Sequence, residues 1–116
     1  MPRAYLGEFE LMVLLAVIRL GDDAYGVPIS REIEQRSGRE AALGSVYADL
    51  ERLEDKGLVT SRLGEPTAER GGRAKRFFSV TAQGLSEVRE TQRALTALWR
   101  GLPQLEAGPQ FKGGAA

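Results

Sequence analysis

One feature of the chain constrains its fold more than any other. It is a helix-like segment followed by two strand-like segments, with a basic glycine-rich loop between the strands. Apolar residues recur at helical spacing over residues 45–53, and this pattern ends at Lys56 and Gly57. Short β-prone runs follow at 58–62 and 77–80. A helix can enter the major groove of DNA while a basic hairpin lies along the neighbouring phosphates. The segment is therefore typical of a DNA-reading winged helix.

The length of the chain and the residue types that it lacks limit what it can do. A chain of 116 residues is large enough for one domain but not for two. It contains no cysteine and no histidine, which excludes disulfides and thiolate metal sites and removes the commonest general base and metal ligand. No paired carboxylates fall in a recognisable catalytic motif. We therefore predict a protein that is not an enzyme and has no metal site and no cofactor.

Neither a targeting segment nor a membrane span is indicated by the sequence. The first residues, 1–3, are followed by neither the apolar region nor the cleavage site of a signal peptide. The longest apolar run, 11–18, is too short to cross a bilayer. We expect a cytoplasmic protein without a membrane partner.

The charge of the chain is balanced overall but uneven along the sequence. Its 16 basic and 16 acidic side chains cancel, which argues mildly against a nucleic-acid-binding domain, since such domains are often basic. However, residues 70–76 carry four cations and no anion. A neutral protein with such a basic arm can bind DNA, with an affinity that depends strongly on salt and is modest unless the protein dimerises.

The first predicted helix, residues 8–20, is apolar around almost its whole circumference. Such a helix must be covered on all sides, and one small domain offers little to cover it. We infer that a second subunit packs on it, at Phe9, Met12 and Val13; the alternative is a central core helix of a monomer. A second helix follows, with Pro28 in its first turn, and ends at Gly38.

The third predicted helix buries one stripe and exposes a small, polar first turn. The inward stripe consists of Val46, Leu50 and Leu53, at i, i+4 and i+7. On the outward side, Ser45 and Ala48 are small enough to let base edges approach, and Tyr47 can donate its hydroxyl to a phosphate. The alternative is an ordinary amphipathic surface helix. Because acids follow at 49, 51, 54 and 55, only the first turn or so can lie close to DNA.

The basic loop is the stronger signal for DNA binding. Two glycines at 71–72 allow its tip to bend sharply. The cations that flank this tip are Arg70, Arg73, Lys75 and Arg76. They can reach into a minor groove or lie on phosphates; the alternative is a solvated, charged hairpin. A nucleotide-binding phosphate loop is excluded, because no Lys-Ser/Thr pair follows the glycines.

The last predicted helix has Thr81 as its N-cap and runs to about Arg100. Its a and d positions are occupied by Leu85, Val88, Gln92, Leu95 and Trp99, which resembles a short coiled-coil seam with one polar a residue. Trp99 either packs in a dimer or, paired across a two-fold axis, stacks a planar aromatic ligand. The tail, 102–116, is rich in Gly, Pro and Ala and is predicted to be disordered.

These elements predict a mainly α fold with a β-hairpin, organised in three regions. A winged helix-turn-helix DNA-binding domain occupies residues 1–81, a C-terminal dimerisation helix occupies 82–101, and the disordered tail occupies 102–116. Two rival functions stay open: a winged helix used only for protein–protein contact, and a small-molecule sensor with its ligand pocket at the dimer interface.

Four motifs in this order resemble the PadR family of bacterial transcriptional regulators. They are YGVPI at 25–29, GSVYADLERLE at 44–54, GLV at 57–59 and GGRAKRFFSVTAQG at 71–84. The resemblance covers about residues 6–100, and the single short C-terminal helix is similar to the compact branch of the family. One departure is Ala42, which stands near a position where the family often has a serine or threonine cap, so that Gly44 or Ser45 is expected to cap the third helix instead.

The resemblance implies a homodimeric winged helix-turn-helix repressor that binds a pseudo-palindromic operator in double-stranded DNA. It implies recognition helices about 34 Å apart, a dimer built by the first and last helices, and a tyrosine and a basic wing against the DNA backbone. The residues expected at the DNA are Tyr25, Ser45, Tyr47, Ala48, Arg70, Arg73, Lys75 and Arg76. Those expected at the dimer interface are Phe9, Met12, Val13, Leu85, Val88, Gln92, Leu95 and Trp99. Multidrug-responsive members stack planar drugs on a tryptophan of the last helix, and Trp99 lies on the matching helix.

Overall fold

A computed structural model of the chain describes residues 6–65 and 74–106. Over these ranges the elements are α1 (Glu8–Leu20), a 3-10 turn (Gly21–Asp23), α2 (Gly26–Ser37), α3 (Leu43–Asp55), β1 (Val59–Leu63), β2 (Arg76–Val80), α4 (Ala82–Trp99) and α5 (Pro103–Glu106). The two strands are antiparallel, in a register that runs from Val59 opposite Val80 to Leu63 opposite Arg76. Three helices, a hairpin and a further long helix are the order predicted for a winged helix-turn-helix protein. None of the described helices is long and apolar enough to cross a membrane.

The ends of the helices follow from local sequence signals, with one exception. Thr81 caps α4 as predicted, because its Oγ1 accepts a hydrogen bond from the Gly84 amide at 3.0 Å. Gly38 ends α2 in the left-handed region, at φ 73°. The expectation for α3 was wrong, because the helix begins at Leu43 with Ala42 as its N-cap. Gly44 and Ser45 therefore lie inside its first turn and do not cap it.

One hydrophobic core joins α1, α2, α3 and the hairpin. Its largest fully buried side chains are Val13, Leu14, Val17, Ile29, Val46, Leu50, Leu53, Val59 and Phe78. The predicted inward stripe of α3 is confirmed, since all three of its residues are fully buried. The cluster continues onto Val88, which is half-buried and anchors the first half of α4.

A single backbone hydrogen bond joins the turn before α2 to the hairpin. The Phe78 amide donates a hydrogen bond of 2.8 Å to the Ala24 carbonyl, so this turn lies along the outer edge of β2. Successive side chains of a strand point to opposite faces. Phe78, 1% exposed, faces the core, and its neighbour Phe77 therefore lies on the outer face of the hairpin, with Arg62 as its cross-strand partner.

The two halves of α4 differ in how they pack. The first half lies against the hairpin at Gly84, where a Cβ would overlap the Leu58 carbonyl oxygen and lie 2.8 Å from Cγ2 of Val80. The second half exposes apolar side chains, among them Leu98 at 75% and Trp99 at 57%. Part of the predicted disordered tail is ordered, since Pro103–Glu106 form the short helix α5. Residues 107–116 lie outside the described ranges.

Candidate nucleic-acid interface

The first turn of α3 presents a small, open surface. Ser45 and Ala48 are both exposed, and a Cβ added at Gly44 would meet no atom within 4 Å. Ala42, the N-cap, offers no side-chain acceptor to the amides of this turn. These amides and the positive end of the helix dipole favour an anion at this position. The surface can therefore approach DNA closely.

Tyr47 connects α3 to the beginning of α2. Its side chain is 39% exposed, and its ring lies directly against Gly26. A Cβ at Gly26 would overlap the Tyr47 hydroxyl and lie 2.8 Å from Cε2 of the ring. The close approach requires the absence of a side chain at Gly26. It holds the Tyr47 ring at the junction of the two helices, next to Tyr25.

Tyr25 brings the hairpin to the same surface. It is the N-cap residue of α2, and its ring meets the Phe77 ring edge-on, with 5.2 Å between the centroids and 64° between the planes. The ammonium group of Lys75 lies 4.7 Å from the centroid of the Tyr25 ring, at a separation typical of a cation–π contact. These contacts connect three of the predicted DNA-binding residues, Lys75, Tyr25 and, through Gly26, Tyr47, and Ser45 and Ala48 lie on the same helix as Tyr47. We call this surface the reading strip; it consists of Ser45, Ala48, Tyr47, Tyr25 and Lys75.

Arg76 was grouped with Lys75 in the sequence, but the structure separates the two. Its guanidinium group lies 5.3 Å from the centroid of the Phe78 ring, on the core face of the hairpin. It donates one hydrogen bond of 2.6 Å to Glu54 and another of 3.1 Å to the Ser61 hydroxyl. The ion pair joins β2 to the end of α3. It also neutralises the positive charge of Arg76, which was expected to contact DNA. Arg70 and Arg73 lie outside the described residues.

The acids of α3 are in part neutralised within the protein. Asp49 is only 4% exposed and pairs with Arg52, and Glu54 pairs with Arg76 at 2.6 Å. Glu51 and Asp55 stay exposed. Repulsion between α3 and a phosphate backbone is therefore weaker than the number of acids in its sequence indicates.

A second ion cluster fixes α1 to the end of α3. Lys56 donates to Glu10 at 3.0 Å, and the Arg52 guanidinium lies 3.8 Å from the same carboxylate. Burial alone would raise the pKa of Glu10, but hydrogen bonds from Lys56 and the Gly7 amide, together with both nearby cations, hold this pKa below its usual value of 4.5. The cluster joins residues 46 positions apart in the chain and so links α1 to the end of α3.

The residues predicted for a dimer interface fall into two groups. Val13 is fully buried in the core of its own protomer, and Phe9, Met12, Leu85 and Val88 are half-buried. Gln92, Leu95 and Trp99 are exposed. On α1 and α4, the exposed large apolar residues that were not predicted at the interface are Leu15, Ile18 and Leu98. Their exposure marks an apolar surface on each of these helices.

A groove of about 420 Å³ lies between α1 and α2. Its floor is apolar, with Met12 and Leu15 among its lining residues. At its rim Glu32 accepts hydrogen bonds from Arg36 and from Arg19, and the bond from Arg36 lowers the pKa of Glu32. Over the described ranges, no group of three His, Cys, Asp or Glu side chains comes together in a way that could hold a metal ion.

The family of the chain follows from comparison with protein-family models. Residues 14–90 match the family model of the Transcriptional regulator PadR-like family. No curated protein matches the chain. Among solved structures, a PadR family transcription regulator from Clostridium difficile aligns with a TM-score of 0.66 and 23% identity over 79% of this chain and 91% of that one. A PadR-like regulator from Bacillus cereus gives 0.67 and 19% over 86% and 92%, and RosR from H. salinarum gives 0.62 and 23% over 87% and 84%. At these identities the likeness shows the fold, and the predicted winged helix is confirmed.

Proposed function

The chain belongs to the PadR-like family of transcriptional regulators, which are non-enzymatic DNA-binding regulators, and from this premise we propose that it is a homodimeric repressor that binds a pseudo-palindromic operator. The observation that carries the proposal is the reading strip. It joins the open first turn of α3 to the loop end of the hairpin through the contact of Tyr47 with Gly26 and of Tyr25 with Lys75.

In the proposed complex the first turn of α3 enters the major groove. Ser45 and Ala48 face base edges, and the Tyr47 hydroxyl and the Lys75 ammonium bind backbone phosphates. For Arg70 and Arg73 we keep the role predicted from the sequence, which is binding to phosphates or the minor groove. Arg76 takes a different role from the one predicted, because its ion pair with Glu54 makes it a positioning residue for the hairpin.

Selection of bound duplexes from random DNA, followed by a salt titration on the selected site, tests the DNA-binding part. Arg73→Ala combined with Lys75→Ala should weaken binding to every duplex and flatten the dependence of log K on log salt, by about 0.9 for each phosphate that the variant no longer neutralises. Arg89→Ala, which removes one exposed cation from α4, is the control for loss of positive charge elsewhere and should leave the slope unchanged. An unchanged slope in the double variant would contradict the wing assignment. Failure to select any duplex would favour the rival role in protein–protein contact.

The repressor role is tested by transcription in vitro from a promoter that carries the selected site. Addition of the protein should reduce the transcript, because a dimer bound over a promoter competes with polymerase. A rise in transcript would indicate an activator instead. The double variant at positions 73 and 75 serves as the control for effects that do not depend on DNA binding.

The dimer is proposed from the exposed apolar stripes of α1 and α4. Leu15 and Ile18 are 42% and 37% exposed on α1, and Leu95 and Leu98 are 48% and 75% exposed on α4. We expect the second half of the partner's α4 to cover α1, and Val13 drops out of the interface because it is already buried. Light scattering should give the mass of a dimer at micromolar concentration. Leu98→Ser should shift this mass towards the monomer, whereas Leu63→Ser, at the 71% exposed position on β1, should not.

A second candidate function is ligand sensing at that interface. Trp99 is 57% exposed and lies one turn after the exposed Leu95 on the same helix face, so two copies related by a two-fold axis can approach each other and clamp a planar aromatic molecule. Quenching of the fluorescence of this single tryptophan by planar aromatics tests the idea. No quenching across a panel of such compounds would remove it.

A further inference from the structure

We propose that the DNA-binding surface extends across the outer face of the hairpin, and that Arg62 binds a backbone phosphate there. The inference rests on the proposed DNA-binding function and adds a residue that the sequence analysis did not single out. It also assigns the aromatic pair Tyr25 and Phe77 the role of positioning the cations on either side of them.

Three neighbouring backbone segments place these side chains in one row. The hydrogen bond from the Phe78 amide to the Ala24 carbonyl, 2.8 Å long, sets the turn before α2 beside β2. Register then sets Arg62 of β1 opposite Phe77 of β2. The Tyr25 and Phe77 centroids are 5.2 Å apart, and the Arg62 guanidinium lies 4.8 Å from the Phe77 centroid on the far side of the pair.

The Phe77 ring packs closely against the backbone of Gly64. A Cβ at Gly64 would lie 2.6 Å from Cε1 of Phe77, so the ring fills the space that any other residue would need. The Gly64 amide also donates to the Lys75 carbonyl at 2.7 Å, which extends the strand pairing by one step towards the loop. A guanidinium stacked on a fixed ring loses part of its freedom before a ligand arrives, and this reduces the entropy loss on binding.

The electrostatics separate Arg62 and Lys75 from the other cations near α3. Arg52, Lys56 and Arg76 all pair with carboxylates. Within residues 6–65 and 74–106, no salt bridge joins Arg62 or Lys75 to an acid, and the cation of each lies over an aromatic ring instead. Stacking uses the face of the guanidinium and leaves the N–H groups at its edge to donate to an oxyanion.

The position of the row indicates DNA as the source of that oxyanion. Its Tyr25 end is part of the reading strip and adjoins Gly26, against which Tyr47 of α3 lies. When a DNA duplex binds to α3, its phosphate backbone therefore runs close to the row of Tyr25, Phe77 and Arg62. A planar guanidinium can bind two oxygens of one phosphate at once, which an ammonium group cannot do.

The test uses the full-length dimer, its selected duplex and a scrambled duplex of the same length. Because a dimer carries two copies of Arg62, Arg62→Ala should reduce the salt slope by about 1.8 and weaken binding to both duplexes by at least roughly tenfold. Arg62→Lys keeps the charge and should restore most of the slope. Arg89→Ala changes the net charge equally and should leave slope and affinity unchanged.

The outcomes separate this inference from the function on which it rests. If the wild type binds and Arg62→Ala keeps its slope and affinity, the inference is overturned while the DNA-binding function stands. If Arg62→Lys loses as much slope as Arg62→Ala, the role of Arg62 is structural and the inference is again overturned. A loss confined to the selected duplex would indicate base readout and would also contradict it. A wild type that binds no duplex would overturn both.

Discussion

Replacing Gly26 with alanine is expected to destabilise the protein, although glycine-to-alanine substitutions in helices usually do the opposite. Gly26 is the first residue of α2 and does not have a positive φ, so its backbone suits any residue. In a helix, alanine is better than glycine by about 0.5–1 kcal/mol. The added Cβ would overlap the Tyr47 hydroxyl, however, and lie 2.8 Å from Cε2 of the ring.

The size of the effect follows from how far the ring must move. Forcing one extra carbon into a packed site destabilises by about 1–3 kcal/mol, and the gain in helix propensity offsets up to about 1 kcal/mol of this. The net expectation is a loss of about 1 kcal/mol. Gly44→Ala provides the matched control, since Gly44 lies in the first turn of α3 with nothing within 4 Å of an added Cβ. That substitution should be neutral or stabilising.

A double-mutant cycle with Tyr47→Ala isolates the contact. Without the ring, Gly26→Ala should be neutral or stabilising, so that the two substitutions couple by about 1–3 kcal/mol. Urea denaturation at one fixed protein concentration measures each corner, because the stability of a dimer depends on concentration. If Gly26→Ala stabilises the protein as much as Gly44→Ala, or if the coupling is below about 0.5 kcal/mol, the packing explanation is refuted.

Three further substitutions test how the elements are joined, and each is measured by urea denaturation. Glu10→Gln should destabilise by about 1 kcal/mol at pH 7. Because the folded-state pKa of Glu10 lies below 4.5, its stabilisation is present above that pH and is lost as the pH falls further, so the difference should shrink at pH 3; a constant difference would contradict this. Thr81→Ala should lose about 1 kcal/mol with its cap, and Thr81→Ser should not. Gly84→Ala should destabilise the protein by more than about 2 kcal/mol, because the added Cβ would overlap the backbone oxygen of Leu58. An unchanged free energy of unfolding would contradict this packing argument.

The helices could be predicted from the sequence because each carries its own local signal. The apolar run of α1 indicated the bounds Glu8–Leu20 that the structure has, and Thr81 marked the beginning of α4 as its cap. Where the local signal was absent, the prediction failed. Ala42 cannot cap a helix with its side chain, so the beginning of α3 at Leu43 carried no mark in the sequence.

The composition of the candidate site depends on non-local contacts that no spacing pattern contains. Lys75 and Arg76 are neighbours in the chain, but successive side chains of a strand point to opposite faces. Lys75 therefore contacts Tyr25, whereas Arg76 pairs with Glu54. Arg62 joins this surface only because the strand register sets it beside Phe77. A prediction from the sequence would have needed that register together with the pairing of the Ala24 turn to β2.

The distribution of ion pairs reconciles a net charge of zero with a DNA-binding role. Acids and cations cancel in number, and two of the ion pairs join elements of the fold: Glu10 with Lys56 binds α1 to α3, and Glu54 with Arg76 binds α3 to the hairpin. These pairs fix α3 relative to α1 and to the hairpin, and they also neutralise acidic side chains near α3. Among the described residues of the outer face, the cations of Lys75 and Arg62 lie over aromatic rings. For a small domain of this kind, the cations without a carboxylate partner therefore indicate a nucleic-acid surface better than the net charge does.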